Sequence, residues 1–260
     1  EGLTAEYTDA MEEILLDPAT ARHGLIDRDA VEVVLGDGGA RRGRQLAQTL
    51  WMFANIENAL LLSTSNRSEA AVGYATMDGD TSGGVSPIAG IDKAFLRQWL
   101  RWMEEEGPMG YGPVPNMHYI NAQQPTAELR PQDEGQTDEG DLMPYPVLDA
   151  IERVAIRDKK FPEEAFAMMR VEFPEVPAET MRGWVVKFYQ LWCRNQWKRE
   201  RYAPSFHLDD KNLDPKTWCR WPILSGSFKK ELAEDGDYRK AMHRSHRSIG
   251  NAMYYTSITI

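Results

Sequence analysis

Cysteine is nearly missing. Cys193 and Cys219 are the two among 260 residues, too few for a disulfide framework or a cysteine-rich zinc cluster, so a reducing, cytoplasmic setting is expected. No apolar run approaches the roughly 18 residues of a membrane span, and the N-terminal residues do not read as a signal peptide, so no membrane partner is expected. Positive charge is scarce too: 30 Lys and Arg stand against 40 Asp and Glu, a net charge of −10. That balance argues against a general nucleic-acid or membrane-surface binder. The sequence carries no internal repeat. Its first residue is Glu, not Met, which leads us to expect a processed chain or a fragment.

What remains is ordinary globular composition, 42% apolar and 27% charged, in a length that suits one large α/β domain or two small ones. Residues 4–16 carry apolar positions at helical spacing, with Thr4 available as a cap. The turn Asp37-Gly38-Gly39 separates a short helix near Arg28–Leu35 from a longer one through Arg41–Asn58. Ala59–Leu62 fits a short buried parallel strand, although four residues alone do not exclude a helix. Asp92 is placed to cap an amphipathic helix whose stripe is Phe95, Leu96, Trp99, Leu100 and Met103. His118–Ile120 is expected to be a second strand. Gln123–Asp141, rich in Gln, Glu, Pro and Gly, is too long for a routine connection. Helices follow near Pro146–Arg157 and Pro162–Arg170. A stronger one, with Met181, Trp184, Val185, Phe188, Leu191 and Trp192 on one face, runs to about Arg199. Beyond Tyr202 the chain reads as irregular, with a short helix near Phe228–Ala233 and a weakly structured tail at Asp235–Ile260.

The chemistry concentrates in LLSTSNRSEAAVGYATMDGD, Leu61 to Asp80. In a doubly wound sheet, ligands bind outside the carboxyl ends of the strands. Ser63-Thr64-Ser65 occupies such an end if Ala59–Leu62 is a strand, and hydroxyls and free backbone N–H groups there suit phosphate oxygens. Glu69 follows, where a carboxylate beside phosphates points to a shared magnesium ion. Gly73, Gly79, Gly83 and Gly84 let backbone approach a ligand closely. Asp80 can accept from a ribose or an amide, and Lys93 can neutralise phosphate charge. The plainer alternative is that Ser, Thr or Asn caps a helix and Glu69 is solvated.

The segment STSNRSEAAVGYATMDGDTSGGVSPIAGIDK closely resembles the C-terminal half of the synthetase domain of NAD synthases, especially the bacterial glutamine-dependent kind. The resemblance continues through NAQQPTAELRP, QTDEGDLMPYPVLDAIERVAIRD and LWCRNQWKRERYAPSFHLDDKNLDPKTWCRWPI, covering about Trp51 to Ser225. It implies an α/β fold, here a partial doubly wound domain of the adenine-nucleotide-hydrolase type that is mostly helical in this stretch. It implies domain limits of 51–234, flanked by a divergent helical segment 1–50 and the tail 235–260. The implied reaction is ATP-dependent amidation of deamido-NAD through an adenylated nicotinate carboxylate.

Position by position, the resemblance implies that Glu69 is the magnesium ligand. Arg44, Thr64, Lys93 and Thr126 would meet ATP, while Asp80 and Glu139 would meet deamido-NAD. Lys198 and Arg199 would form the basic pair of a loop closing over the active site. A homo-oligomer and ammonia from a glutaminase domain outside this chain are implied as partners. Each residue has a plainer alternative. Lys198 and Arg199 at a helix end complement its macrodipole. Glu139 in an acidic loop can be a solvated charge, and Thr126 after Pro125 a turn residue. His207 and Cys193 read as structural, since His207 has no second ligand at defined spacing and Cys193 no His partner.

Two departures from the family pattern count. Its phosphate-cradling loop, S-G-G-x-D-S, has no copy in this sequence. Residues 22–48 also read poorly against the family's Gln/Asn/Arg-rich helix, although Arg44 is kept. The alternative function is therefore a non-catalytic nucleotide-binding or assembly module. A third, a tRNA-modifying ATP-pyrophosphatase, predicts a strongly basic surface, against the acidic balance.

Overall fold

The structure, a computed structural model, describes residues 39–126, 137–223, 228–229 and 231–232. The expected helices at 4–16 and Arg28–Leu35, the centre of the Gln123–Asp141 loop and the tail Asp235–Ile260 lie outside the described residues. The first described helix, α1 (Gly39–Ile56), matches the long helix expected at Arg41–Asn58. It stops where Asn58 turns left-handed (φ 51°) and Ala59 N–H reaches back to Ala54 O (2.8 Å), a satisfied C-terminus.

The expected strand Ala59–Leu62 is corrected. One parallel bridge joins Leu62 to Val85, and Leu60 and Leu62 are 67% and 53% exposed. A parallel strand is buried only when neighbours cover it, and among the described residues nothing pairs with its outer side. Its inner side is ordered. Ser63 N–H donates to Val85 O (2.9 Å), Gly84 N–H to Leu61 O (2.8 Å) and Ser86 N–H to Pro204 O (2.8 Å). With a second bridge from Ser86 to Ser205, three extended pieces lie side by side in parallel. Gly83 (φ 153°) permits this approach, because a Cβ there would sit 2.9 Å from Ser63 N.

The helices that follow are α2 (Arg67–Val72), α3 (Lys93–Glu105), α4 (His118–Asn121), α5 (Asp138–Asp141), α6 (Tyr145–Glu152), α7 (Pro162–Glu172), α8 (Ala178–Arg194) and α9 (Gln196–Arg199). His118–Ile120 is thus helical, not a strand. Pro115 starts a 3-10 turn, Pro115–Met117, that runs into α4, and Asn121 anchors α4 on α3 by donating to Leu100 O (3.1 Å) and Glu104 Oε2 (2.7 Å). The apolar stripe of α3 forms as expected, but no residue of α3 is fully buried; Phe95 and Trp99 face solvent. The core lies elsewhere, where α2, α6, α7 and α8 meet: Leu148, Ile151, Ala165, Met169, Met181 and Phe188 have no exposed surface. A π-helical turn, Arg153–Arg157, extends α6 to the expected end.

The long helix expected to reach Arg199 breaks at Asn195, which leaves helical geometry and sends Nδ2 to Val72 O (2.6 Å). That bond ties the α8–α9 corner to the end of α2. Gly73 caps α2 in the left-handed region (φ 66°), and a Cβ there would lie 2.3 Å from Asn195 Cβ. Gly73→Ala is therefore expected to cost about 2 kcal/mol or more, from strain and collision together, read as a lowered urea midpoint. A change under 0.5 kcal/mol would mean that the corner is loose.

Candidate functional site

The site begins where the rim strand gives way to α2. Asn66 is the N-cap: its side chain accepts Glu69 N–H (3.1 Å), and Glu69 Oε2 accepts Asn66 N–H and Ser65 Oγ–H, each at 3.4 Å. Asn66 therefore caps the helix, as the plainer reading of the sequence had it, but Glu69 is the second member of a capping box and not a solvated charge. That role occupies one carboxylate oxygen. The other, Oε1, lies 2.8 Å from Lys93 Nζ, both side chains being partly exposed. Lys93 Nζ also stands 5.7 Å above the Tyr145 ring. Thr64 is exposed beside the buried Ser63 and Ser65.

Asp80 lies across the same rim. Ser63 Oγ–H donates to its backbone carbonyl (2.8 Å), and Thr76 N–H donates to its Oδ2 (2.6 Å). Burial pushes the Asp80 carboxyl up from its ordinary value, and the negative charge of Glu69 adds to this; the Thr76 N–H and the Lys198 charge pull it back. Lys198 holds the loop from below, donating to Gly73 O (2.8 Å) and Ala75 O (2.9 Å). Burial lowers its affinity for the proton, and Asp80 partly restores it. Glu69, Asp80, Lys93, Lys198 and Thr64 thus converge on the carboxyl end of one extended segment.

The expected basic pair divides, and the pairing is corrected. Arg199 is 2% exposed. Its Nη1 donates to Ala71 O (2.7 Å) and Ala70 O (3.3 Å), its Nη2 to Trp192 O and Gln196 Oε1, and its guanidinium stacks 4.0 Å from the Trp192 ring. Consecutive residues on a short helix point to different sides, so Lys198 stays at the loop while Arg199 enters the core. Burial lowers the Arg199 pKa to about 10.

Glu139 accepts Tyr145 N–H (2.9 Å) at the start of α6 and lies 3.7 Å from Arg97. Thr126 is exposed, the last described residue before 127, next to Pro125, whose carbonyl accepts Asp138 N–H (3.0 Å). Arg44 is exposed on α1. His207 is exposed and meets Trp218 edge to face (5.6 Å). Cys193 is half-buried and packs against the core.

Asp138, Asp149 and Glu152 are acidic residues that were not singled out from the sequence. Asp138 accepts from the Tyr145 hydroxyl (2.8 Å), while its other oxygen is buried and, among the described residues, accepts no hydrogen bond. Asp92, Asp149 and Glu152 bring carboxylate oxygens within 4.8 Å of one another. That triad is filled already: Arg67 Nε meets Asp92 Oδ1 (2.6 Å) and stands 3.2 Å from Glu152 Oε1, and Lys211 Nζ bonds Asp92 Oδ2. Two cations stand where a metal ion would sit. Arg67 also bonds Asp209 (2.6 Å), and among the described residues the Glu152 oxygens accept no hydrogen bond. The signal in the sequence was Asp149 and Glu152 inside the apolar run PVLDAIE.

Glu69 is a different donor set, one partly exposed carboxylate beside hydroxyls. That suits Mg²⁺, which keeps waters and substrate phosphates as its other ligands, better than a cage-bound ion. A small pocket lined by Ala70, Arg199, Tyr202 and Leu213, about 20 Å³, has room for about one water. The site is an open rim.

The sequence profile of the family described as NAD synthase matches residues 11–201. The glutamine-dependent NAD(+) synthetase of Aquifex aeolicus is 34% identical over 188 residues, 72% of this chain and 30% of its own length. That of Thermotoga maritima is 42% identical over 183 residues, 70% of this chain and 28% of its own. The crystal structure of a glutamine-dependent NAD(+) synthetase from Cytophaga hutchinsonii superposes with a TM-score of 0.60 at 40% identity, over 89% of this chain and 34% of that one. The chain spans about a third of the length of these relatives.

Proposed function

This chain belongs to the NAD synthase family, a family of carbon–nitrogen ligases, and on that premise we propose that it supplies part of the site in which deamido-NAD is amidated to NAD at the expense of ATP. The observation that carries the proposal is the Glu69–Lys93 pair at 2.8 Å, set across one rim from Asp80 and Lys198. A carboxylate is a poor electrophile, and adenylation gives it a leaving group. Crowded phosphate oxygens must be neutralised in that step. Glu69, together with substrate phosphates, would hold a magnesium ion, which would supply part of that neutralisation. Lys93 supplies a positive charge beside it. Thr64 and Thr126 offer hydroxyl donors to ATP, and Arg44 a further cation. Asp80 and Glu139 offer acceptors to deamido-NAD. Lys198 orders the loop that carries Asp80, with Arg199 buried beneath it. Ammonia comes from a glutaminase domain outside this chain.

Calorimetric titration tests the reading. Glu69→Ala and Lys93→Ala are each expected to weaken Mg-ATP about ten-fold, and Asp80→Ala to weaken deamido-NAD by a similar factor, about 1.4 kcal/mol. A folded wild-type chain that binds neither ligand would favour the second reading, an assembly module without chemistry. The absence of an S-G-G-x-D-S sequence motivates that alternative.

A further inference from the structure

We propose that Asp149 is the positioning residue for the nucleotide side of this site: it fixes the start of α3, and through it the Lys93 ammonium, against α2. This rests on the reading of Glu69 and Lys93 given above. A helix start leaves backbone N–H groups without partners. Asp92 has the sequence position and the extended backbone of an N-cap for α3, yet its side chain makes no capping bond. Arg67 and Lys211 draw it away.

The cap comes instead from α6, a distant element. Ala94 N–H donates to Asp149 Oδ2 (3.0 Å). Lys93 N–H donates to Ser68 Oγ (2.8 Å), and the Ser68 hydroxyl donates to Asp149 Oδ1 (2.5 Å). One carboxylate therefore joins α2, α3 and α6. The links also close on themselves, because Ser68 precedes Glu69, and Glu69 Oε1 receives the Lys93 ammonium at 2.8 Å.

The position matters because α3 contributes no fully buried residue. Core burial holds such a helix weakly, so the polar links of its first turn decide where Lys93 begins. A flexible four-carbon stem delivers its charge to one place only if its root is fixed. Loss of a group that orients a ligand from behind typically weakens binding ten-fold or more.

The test uses the full chain as wild type, Asp149→Asn, Lys93→Ala and the double variant, each titrated with Mg-ATP and with deamido-NAD. Hydrogen exchange at the Lys93 and Ala94 amides is followed in parallel. Asn keeps the shape but cannot accept both bonds. Asp149→Asn is expected to weaken Mg-ATP about ten-fold, to leave deamido-NAD within about two-fold, and to add nothing in the Lys93→Ala background. It should also speed exchange at those two amides while α8 stays protected. Ser68→Ala, which removes one link and leaves the carboxylate, should give the same pattern, smaller. An equal Mg-ATP loss with and without Lys93 would overturn the proposal, and so would unchanged exchange at Lys93 and Ala94. If the wild type binds no Mg-ATP, the proposed function fails, and the exchange measurement still decides the positioning role.

Discussion

Arg199→Met is expected to destabilise the fold by about 3–5 kcal/mol, among the largest effects of any single change in this chain. The side chain is a buried cation that, among the described residues, meets no carboxylate in an ion pair. Its charge is met by the Ala70, Ala71 and Trp192 carbonyls, by Gln196 Oε1 and by the Trp192 ring. Met fills much of the volume but donates nothing, so the Ala71 and Trp192 carbonyls lose the Arg199 donor inside the core. Arg199→Lys is expected to recover only part of the loss, because an ammonium cannot reproduce the planar fork or the stacked contact. Urea denaturation with an unchanged m-value reads the effect. A loss below 1 kcal/mol would return Arg199 to the ligand-binding loop, where its neighbour Lys198 lies.

Arg67→Met is expected to cost about 3–5 kcal/mol as well, for a different reason: it strands negative charge. Arg67 bonds Asp92 and Asp209 and lies 3.2 Å from Glu152 without a hydrogen bond to it, leaving Lys211 as the other cation of the group. Burial raises the Glu152 pKa well above its ordinary value, with Asp92 and Asp149 adding to it, and raises that of Asp149 to about 6. Both groups hold protons in the folded chain that the unfolded chain would release. Stability from Asp149 is thus fully present below its ordinary value of 3.8 and lost as pH rises towards about 6; for Glu152 the loss extends further up. Asp209, whose pKa is lowered, contributes the opposite sign, its stabilisation fading as the solution becomes acidic. Glu152→Gln removes the buried charge while keeping the shape. It is expected to stabilise the chain by about 1–3 kcal/mol at pH 8 and much less at pH 4. Arg67→Met combined with Glu152→Gln should recover part of the Arg67 loss. Parallel pH–stability curves for wild type and Glu152→Gln would mean that Glu152 does not titrate differently on folding.

Much of this protein is legible without coordinates. The period of the apolar residues locates α1, α3, α6, α7 and α8, and the face of α8 that carries Met181, Val185, Phe188 and Trp192 is the face buried in the core. Glu69 and Lys93 stand out as a carboxylate and a cation near a strand end. Their identity as a pair does not, because an ion pair between residues on two helices depends on how those helices pack.

Burial is what the local pattern could not supply. Ala59–Leu62 has the composition of a covered strand, but covering requires pairing on both sides, and a string of residues contains no statement about its neighbours. Lys198 and Arg199 are adjacent cations with the same formal chemistry. A rotation of about 100° along α9 sends one to the loop carbonyls and the other into the core. Asp92 sits where an N-cap belongs and Asp149 does not, yet Asp149 does the capping, since two cations from other parts of the chain compete for Asp92. Sequence by itself determined the longer helices, the family resemblance and the residue types available at the rim. Only the tertiary structure decided which charges meet and which are taken from water, because those outcomes are set by distances between segments far apart in the chain.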